Sequence, residues 1–468
     1  MQYKTPEKYF FRLHHIRPRF KSNCEEVLLF MAGAIFEIGE GDSEIFKELF
    51  REKIYQFPGN ATLSLKTVDN WRTEISSLFA LYFEIEDWSY PSDLALDLAN
   101  SQDLTKFFKY FCHTFQYPGG HLKAETIIEI RDSKISFHPA SFIIQVLEKI
   151  ESNHGPSHAF INKAELTHCI YNDLRVTACT DVNMAVEWVS ELIYTNRVNL
   201  VTYDWGGDVT RYAGDILDYM SLANLVTDYG GKFRLRKSEK RAIEKIKKRK
   251  ADYSYSNVAT ARSINDARAD WFMYCNSFVA AKIFETDVLA FIAKDEVEYA
   301  ELEKRTRLLM ETEEPSLGVS TKKIGDYGES LVYGHECMSL RLKDKIDLIH
   351  LVKCIPNQFA VGYDIQSIDE NHIKKYIEVK TSISSKRLSI DRFSLTPNEI
   401  SSAQTLKDNY YIYRLVINHE AQNAITMTVI QDPIEHFKKD NLEINFRTGE
   451  VVFKKNVGQK VELLSWKD

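Results

Sequence analysis

The sequence predicts a multidomain α+β protein, helical in its amino-terminal half and α/β from about residue 321 onward. Three observations predict this. Apolar residues recur at spacings of three and four over 22–38, 44–55, 68–84 and 92–116, which marks one face of a helix. Two β-patterned arms flank Gly230-Gly231, a dipeptide that supplies the positive φ of a tight hairpin. The stretch KKYIEVKTS at 374–382 alternates residue by residue, as a strand does. At 468 residues the chain exceeds one ordinary domain. With 44% hydrophobic and 27% charged residues it has a globular composition, which excludes collagen-like, coiled-coil and wholly disordered architectures.

In chain order, residues 1–136 form the first segment, helical and rich in aromatics such as Phe107, Phe108, Tyr110, Phe111 and Phe115, whose helical spacing favours core packing over base stacking. A second segment, 137–260, opens with His138–Ile150, where Pro139 suits a first helical turn and Phe142, Ile143, Val146, Leu147 and Ile150 form a stripe. Asn162 followed by Glu165 has capping-box spacing, a helix covers Val182–Tyr194, and another follows Arg211. Helices followed by a small hairpin with a basic second arm describe a winged-helix module, which serves DNA or protein binding; a plain helical insert is the alternative. Residues 261–320 read as a helical connector ending in an acidic, Pro- and Gly-containing linker at 311–320, so a cut near 316 is expected to give two soluble pieces. Residues 321–468 form the last domain.

Net charge is -7, yet Lys232–Lys250 holds eleven Lys or Arg against two Glu, leaving -16 for the rest. Such asymmetry points to a local polyanion contact, against the alternative of a solvated helix face. Alternation along the second arm puts Lys232, Arg234 and Arg236 on one face, with Lys237 following and Phe233 and Leu235 inward. Arg211, Arg17 and Arg19 are further candidates for phosphate contact. Seven cysteines without a CxxC pair argue against a disulfide framework or zinc site. No apolar run is long enough for a membrane span or signal peptide, so a cytoplasmic protein without membrane contact is expected. No GxSxG or GxxxxGK[ST] occurs, which removes the common serine-hydrolase and P-loop readings.

The most complete chemistry lies after Lys322. Asp364 ends an apolar approach (QFAVGYDI), and 14 residues later Glu378 and Lys380 share one face of the alternating strand, a spacing that lets a hairpin bring the acids together. Mg²⁺ is held by one or two carboxylates plus substrate phosphate and water, and Asp364, Glu378 and the Val379 carbonyl can supply the protein ligands. Lys380 can orient a water and offset charge at phosphorus. Outward charges on a surface strand are the alternative. The residues GYDI and IEVK resemble the two acidic motifs of the PD-(D/E)XK nuclease superfamily, with Tyr363 where Pro is common. The wider pattern GESLV, GYDI, IEVKT, SLTPNEI, YYIYRLV, over about 322–435, is similar to the nuclease-like domain at the carboxy terminus of the plant protein NO VEIN and in bacterial defence proteins. The resemblance implies a restriction-endonuclease-like α/β domain, with Asp364 and Glu378 as metal ligands and Lys380 as catalytic lysine. It also implies an acidic helper at Glu329 and a polar one at Gln404.

In the first half, FKYFCHTFQYPGG, ISFHPASFIIQVLEKI, INKAELTHCIY and DILDYMSLANLVTDYGGKFRLR resemble the recognition half of AlwI-kind type IIS restriction and nicking endonucleases. Together these imply a Mg²⁺-dependent (Mn²⁺ substituting) site-specific restriction deoxyribonuclease acting on double-stranded DNA, with transient homodimers for double-strand cleavage. The alternative is a DNA-binding defence-system protein whose nuclease-like domain is structural or a scaffold.

Overall fold

A computed structural model describes residues 2–18, 24–253, 261–293, 297–301, 304, 324–356, 361–385, 388, 392–418, 425–445, 450–453 and 458–463. The chain divides into two compact units, residues 1–19, 38–96 and 105–284 in the first and 20–37, 97–104 and 285–468 in the second. Among the described residues no helix is long and apolar enough to cross a membrane. The expected linker at 311–320 lies outside the described residues.

The first unit is mainly helical, and the aromatic run is its core. Phe107, Phe108, Tyr110, Phe111 and Phe115 are all buried, and Phe79 packs on Phe111 at 5.2 Å while Phe108 stacks on Tyr219 at 5.8 Å. The helix Pro139–His154 carries Pro in its first turn, with the His138 ring accepting from Ser141 N–H, and Asn162 and Glu165 form the expected reciprocal cap. Helices Val182–Val198 and Gly207–Leu222 follow. Strands Val226–Asp228 and Phe233–Leu235 then pair antiparallel around Gly230 and Gly231, whose φ values are 64° and 84°.

Two sequence expectations fail here. The helix expected over 68–84 ends at Phe79, because Ala80 turns left-handed at φ 51°; Tyr82–Ile85 is instead a strand paired with Trp88–Pro91. The helix expected over 92–116 is broken at Gln102 (φ 50°) into Asp93–Ser101 and Leu104–Thr114.

The second unit is built on a mixed sheet of six strands, in the order Gln459–Val461, Ile425–Gln431, Tyr410–Ile417, Lys374–Ile383, Ile365–Ile368 and Lys353–Cys354. Among the described residues of this sheet only the central pair, Lys374–Ile383 with Tyr410–Ile417, is parallel, joined by the crossover helix Pro397–Leu406. The helix Ile324–Leu342 covers one face through Val332, Cys337 and Leu340 on Ile365, Ile377, Leu415 and Met427. The other face buries Tyr410, Ile412 and Ile430 against Ala403 of the crossover helix and Phe393 and Leu395. This unit is not one continuous stretch of sequence: the helix Cys24–Ile38, placed by its position within the first segment, packs here save for its last residue. Glu25 accepts hydrogen bonds from Ser385 N–H at 2.7 Å and Ser385 Oγ at 2.5 Å, and Gln102 Oε1 accepts from the buried Arg414 at 2.8 Å.

Candidate active site

The strand Lys374–Ile383 runs between two neighbours, so both its edges are bonded and its side chains are fixed on opposite faces. Tyr376 and Glu378 therefore face the crossover helix, while Ile377 and Val379 enter the core under Ile324–Leu342. Asp364 sits where the antiparallel neighbour begins: its N–H donates to Ile377 O at 2.9 Å, and its Oδ2 accepts from Val379 N–H at 2.8 Å. N–H and C=O of one extended residue point to the same edge, so the Val379 carbonyl faces the Asp364 side. Lys380 Nζ lies 2.7 Å from Glu378 Oε1 and 2.9 Å from Glu399 Oε2. Glu329 comes in from the other face of the sheet. Its neighbour Gly328 passes so close to the strand that a Cβ there would lie 1.9 Å from Thr381 Oγ1, which only glycine permits.

The cluster is electrostatically incomplete. Burial pushes the Asp364 carboxyl up to about 6 and that of Glu378 well above its usual range, and in Glu378 the charges of Asp364 and Glu399 add to the effect against the pull of Lys380. Burial opposes the charge on Lys380, but Glu378 and Glu399 outweigh it and hold its pKa high; burial likewise opposes ionised Glu399, and Lys380 outweighs it and holds that pKa low. Fully ionised, Asp364, Glu378, Glu399 and Lys380 sum to -2, the deficit that one divalent cation makes good. Among the described residues no three His, Cys, Asp or Glu side chains converge as ligands. Two carboxylates and a main-chain carbonyl nevertheless fit the oxygen-only, partly hydrated coordination of Mg²⁺.

Burial, followed by the charges of Asp364 and Asp326, pushes Glu329 up to about 8. Between the usual 4.5 and that value the native chain holds a proton that the unfolded chain releases, so Glu329 costs stability as pH rises through this window. Glu329→Gln is expected to melt above the metal-free parent at pH 8, with the difference shrinking towards pH 5; equal melting temperatures at pH 8 would refute this.

Glu399 was not singled out from the sequence. Its signal was the Thr396-Pro397-x-Glu399 spacing, which forms a capping box here and places the Glu399 side chain at Lys380 as well. Gln404, further along the same helix, is exposed and is not among the groups around Lys380.

The basic residues of the first unit are more engaged than their sequence suggested. Phe233 is buried and Lys232 exposed, with its ammonium 5.0 Å from the Phe160 ring. Arg234, however, donates to the carbonyls of Pro156 at 2.7 Å and Ser157 at 2.9 Å, and Lys237 pairs with Glu151 at 2.6 Å. Arg236 is half-buried and Arg211 exposed. Arg17 forms a two-pronged pair with Asp215, at 2.5 and 3.0 Å, while Arg19 lies outside the described residues. Sequence reasoning also missed a cleft of about 1360 Å³ in this unit, lined by Arg17, Lys47, Arg72, Lys123 and Arg268 together with Glu74, Glu84, Glu86 and Asp270.

Comparison with known proteins relates both halves of the chain to known families. Residues 3–272 match the family described as restriction endonuclease BpuJI, N terminal, and the chain belongs to that family. Residues 328–428, which include Glu329, Asp364, Glu378, Lys380 and Glu399, match the family described as protein NO VEIN, C-terminal. Among solved structures, the chain is similar to the BpuJ1 endonuclease binding domain in complex with pyrene- and phenanthrene-modified DNA. The identity is 25% and the TM-score 0.52, over 58% of this chain and 100% of that one. No curated protein matches. The resemblance of the second half to NO VEIN is borne out, and so is that of the first half to a restriction endonuclease, the family matched being that of BpuJI.

Proposed function

We propose that the protein is a Mg²⁺-dependent, site-specific DNA endonuclease of the restriction type, type IIS-like, with recognition in the first unit and a PD-(D/E)XK nuclease site in the second. The observation that carries this reading is the convergence of Asp364, Glu378 and Lys380 on adjoining strands. Asp364, Glu378 and the Val379 carbonyl would hold the cation, which when bound supplies Lewis-acid polarisation of the phosphodiester and acidifies water. Lys380 holds its ammonium where it can hydrogen-bond the attacking water and offset charge developing at phosphorus. Water adds to phosphorus, the bond to the leaving sugar oxygen breaks, and that oxygen takes up a proton. The test is plasmid cleavage with Mg²⁺ against the same reaction with EDTA, with sequencing of the ends. Uncut plasmid in Mg²⁺ and in Mn²⁺ would leave the scaffold reading, which the closed pairing of Lys380 with two carboxylates favours.

DNA recognition by the first unit is supported by its likeness to an endonuclease binding domain in complex with DNA. A winged-helix arrangement is supported by the hairpin and by Ile161, which makes an antiparallel bridge to Phe233. One nuclease site cuts one strand per encounter, so double-strand cleavage calls for a transient homodimer or a second binding event. Within the hairpin, Lys232 and Arg234 separate by role. Arg234→Ala is expected to cost about 0.5–1.5 kcal/mol of stability because it gives up hydrogen bonds to the carbonyls of Pro156, Ser157 and Ala159. Lys232→Ala is expected to leave stability unchanged and to lower the salt slope of DNA affinity by about 0.9. Melting curves and binding isotherms across a salt series read both. Equal melting temperatures for the two variants, or overlaid isotherms for Lys232→Ala and the parent, would reverse these assignments.

A further inference from the structure

The two carboxylates that grip Lys380 differ in what else holds them. Glu378 shares its site with Asp364 and is assigned above to a divalent cation. Glu399 belongs to a helix start: its Oε2 also accepts from Thr396 N–H at 2.9 Å, its own N–H donates to Thr396 Oγ1 at 3.3 Å, and Pro397 fixes the first turn. The reciprocal cap fixes the Glu399 carboxylate at the base of the crossover helix whether or not Lys380 is bound to it.

We propose that Glu399 is a positioning residue that keeps the Lys380 ammonium in place when a divalent cation takes Glu378, an inference that rests on the nuclease reading above. An ammonium hydrogen-bonded to Glu378 Oε1 and a cation ligated by the same carboxylate compete for the same lone pairs and repel each other. Lys380 gives up Glu378 as the cation enters, and Glu399 is the acceptor that remains at 2.9 Å. Without charge at position 399, Glu378 becomes the one carboxylate within salt-bridge distance of Lys380 among the described residues, and the ammonium turns from a helper into a competitor of the metal. Charge and cap can be separated, because glutamine at the third helical position still closes a capping box while carrying no negative charge.

The experiment is calorimetric titration of the full chain with Mn²⁺ alone, in the parent, E399Q, K380M and the double variant. E399Q is expected to keep a cooperative melting transition, somewhat below the parent's because it gives up the ion pair with Lys380, and to bind Mn²⁺ about tenfold or more weakly, the scale on which groups behind a metal's ligands act. The double variant is expected to bind Mn²⁺ as tightly as K380M alone, since the competitor is gone. Should E399Q bind Mn²⁺ like the parent, or should it weaken binding equally with Lys380 replaced, the role of Glu399 is overturned. A parent chain that binds no Mn²⁺ overturns the nuclease reading and the role of Glu399 together, whereas a parent that binds beside an unaffected E399Q overturns the role of Glu399 alone.

Discussion

Asp364→Ala, Glu378→Ala and Lys380→Ala are each expected to lower the proposed Mg²⁺-dependent cleavage by about a hundredfold to a thousandfold or more, and to leave DNA affinity within about threefold of the parent. The three losses have different companions in stability. Removing Asp364 or Glu378 relieves a buried carboxylate whose charged form burial already disfavours, so these variants are expected to melt at or above the metal-free parent. Removing Lys380 strips the shared cation from Glu378 and Glu399, and breaking a buried pair in this way costs about 3–5 kcal/mol. Plasmid nicking rates and melting curves on the same preparations separate lost chemistry from lost fold. Normal turnover in the Asp364 variant would sink the site assignment.

The piece 320–468, made alone, is expected not to fold. The sequence led to the opposite expectation, two soluble pieces from a cut near 316, because the linker composition marks a boundary without showing what crosses it. In the structure the second unit includes residues 20–37 and 97–104. The helix Cys24–Ile38 buries Val27, Leu28, Met31, Ala32 and Ile35 completely or nearly so. At about 1.5–3 kcal/mol for each large apolar side chain, their loss is comparable with the roughly 5–15 kcal/mol that a whole domain holds in reserve. Arg414, 2% exposed, would also lose Gln102, and Ser384 and Ser385 would lose Glu25. The expected result is a fragment without a cooperative melting transition that binds a hydrophobic dye; a sharp transition near that of the full chain would show the early segments to be dispensable.

What the sequence made legible was periodicity and local chemistry. The face shared by Glu378 and Lys380 followed from alternation, and the return of the chain from Asp364 followed from a spacing a hairpin could close. Pro139 in a first helical turn, the cap at Asn162 and the Gly230-Gly231 turn were local and therefore readable. Glu399 was hidden because its capping spacing is a sufficient local explanation, and its second role arises only when the crossover helix lies beside the strand. Arg234 was misjudged for a related reason: alternation tells which face a side chain takes, but not that the 156–159 turn lies there and offers its carbonyls to it. The affiliation of Cys24–Ile38 was out of reach because an apolar run announces that it will be buried without naming its partner.

That helix sets the order of synthesis against the order of packing. It leaves the ribosome well ahead of residue 285, where most of the unit that receives it begins. At about 5–20 residues per second the run VLLFMAGAIF waits some ~12–50 s for its partners, a long-range closure that raises contact order and leaves apolar surface open to other chains. A growing chain of this protein is thus a natural client for holding chaperones. For the same reason the second unit cannot be lifted out by a single cut and grafted elsewhere: a working transplant has to carry the distant helix Cys24–Ile38 as well.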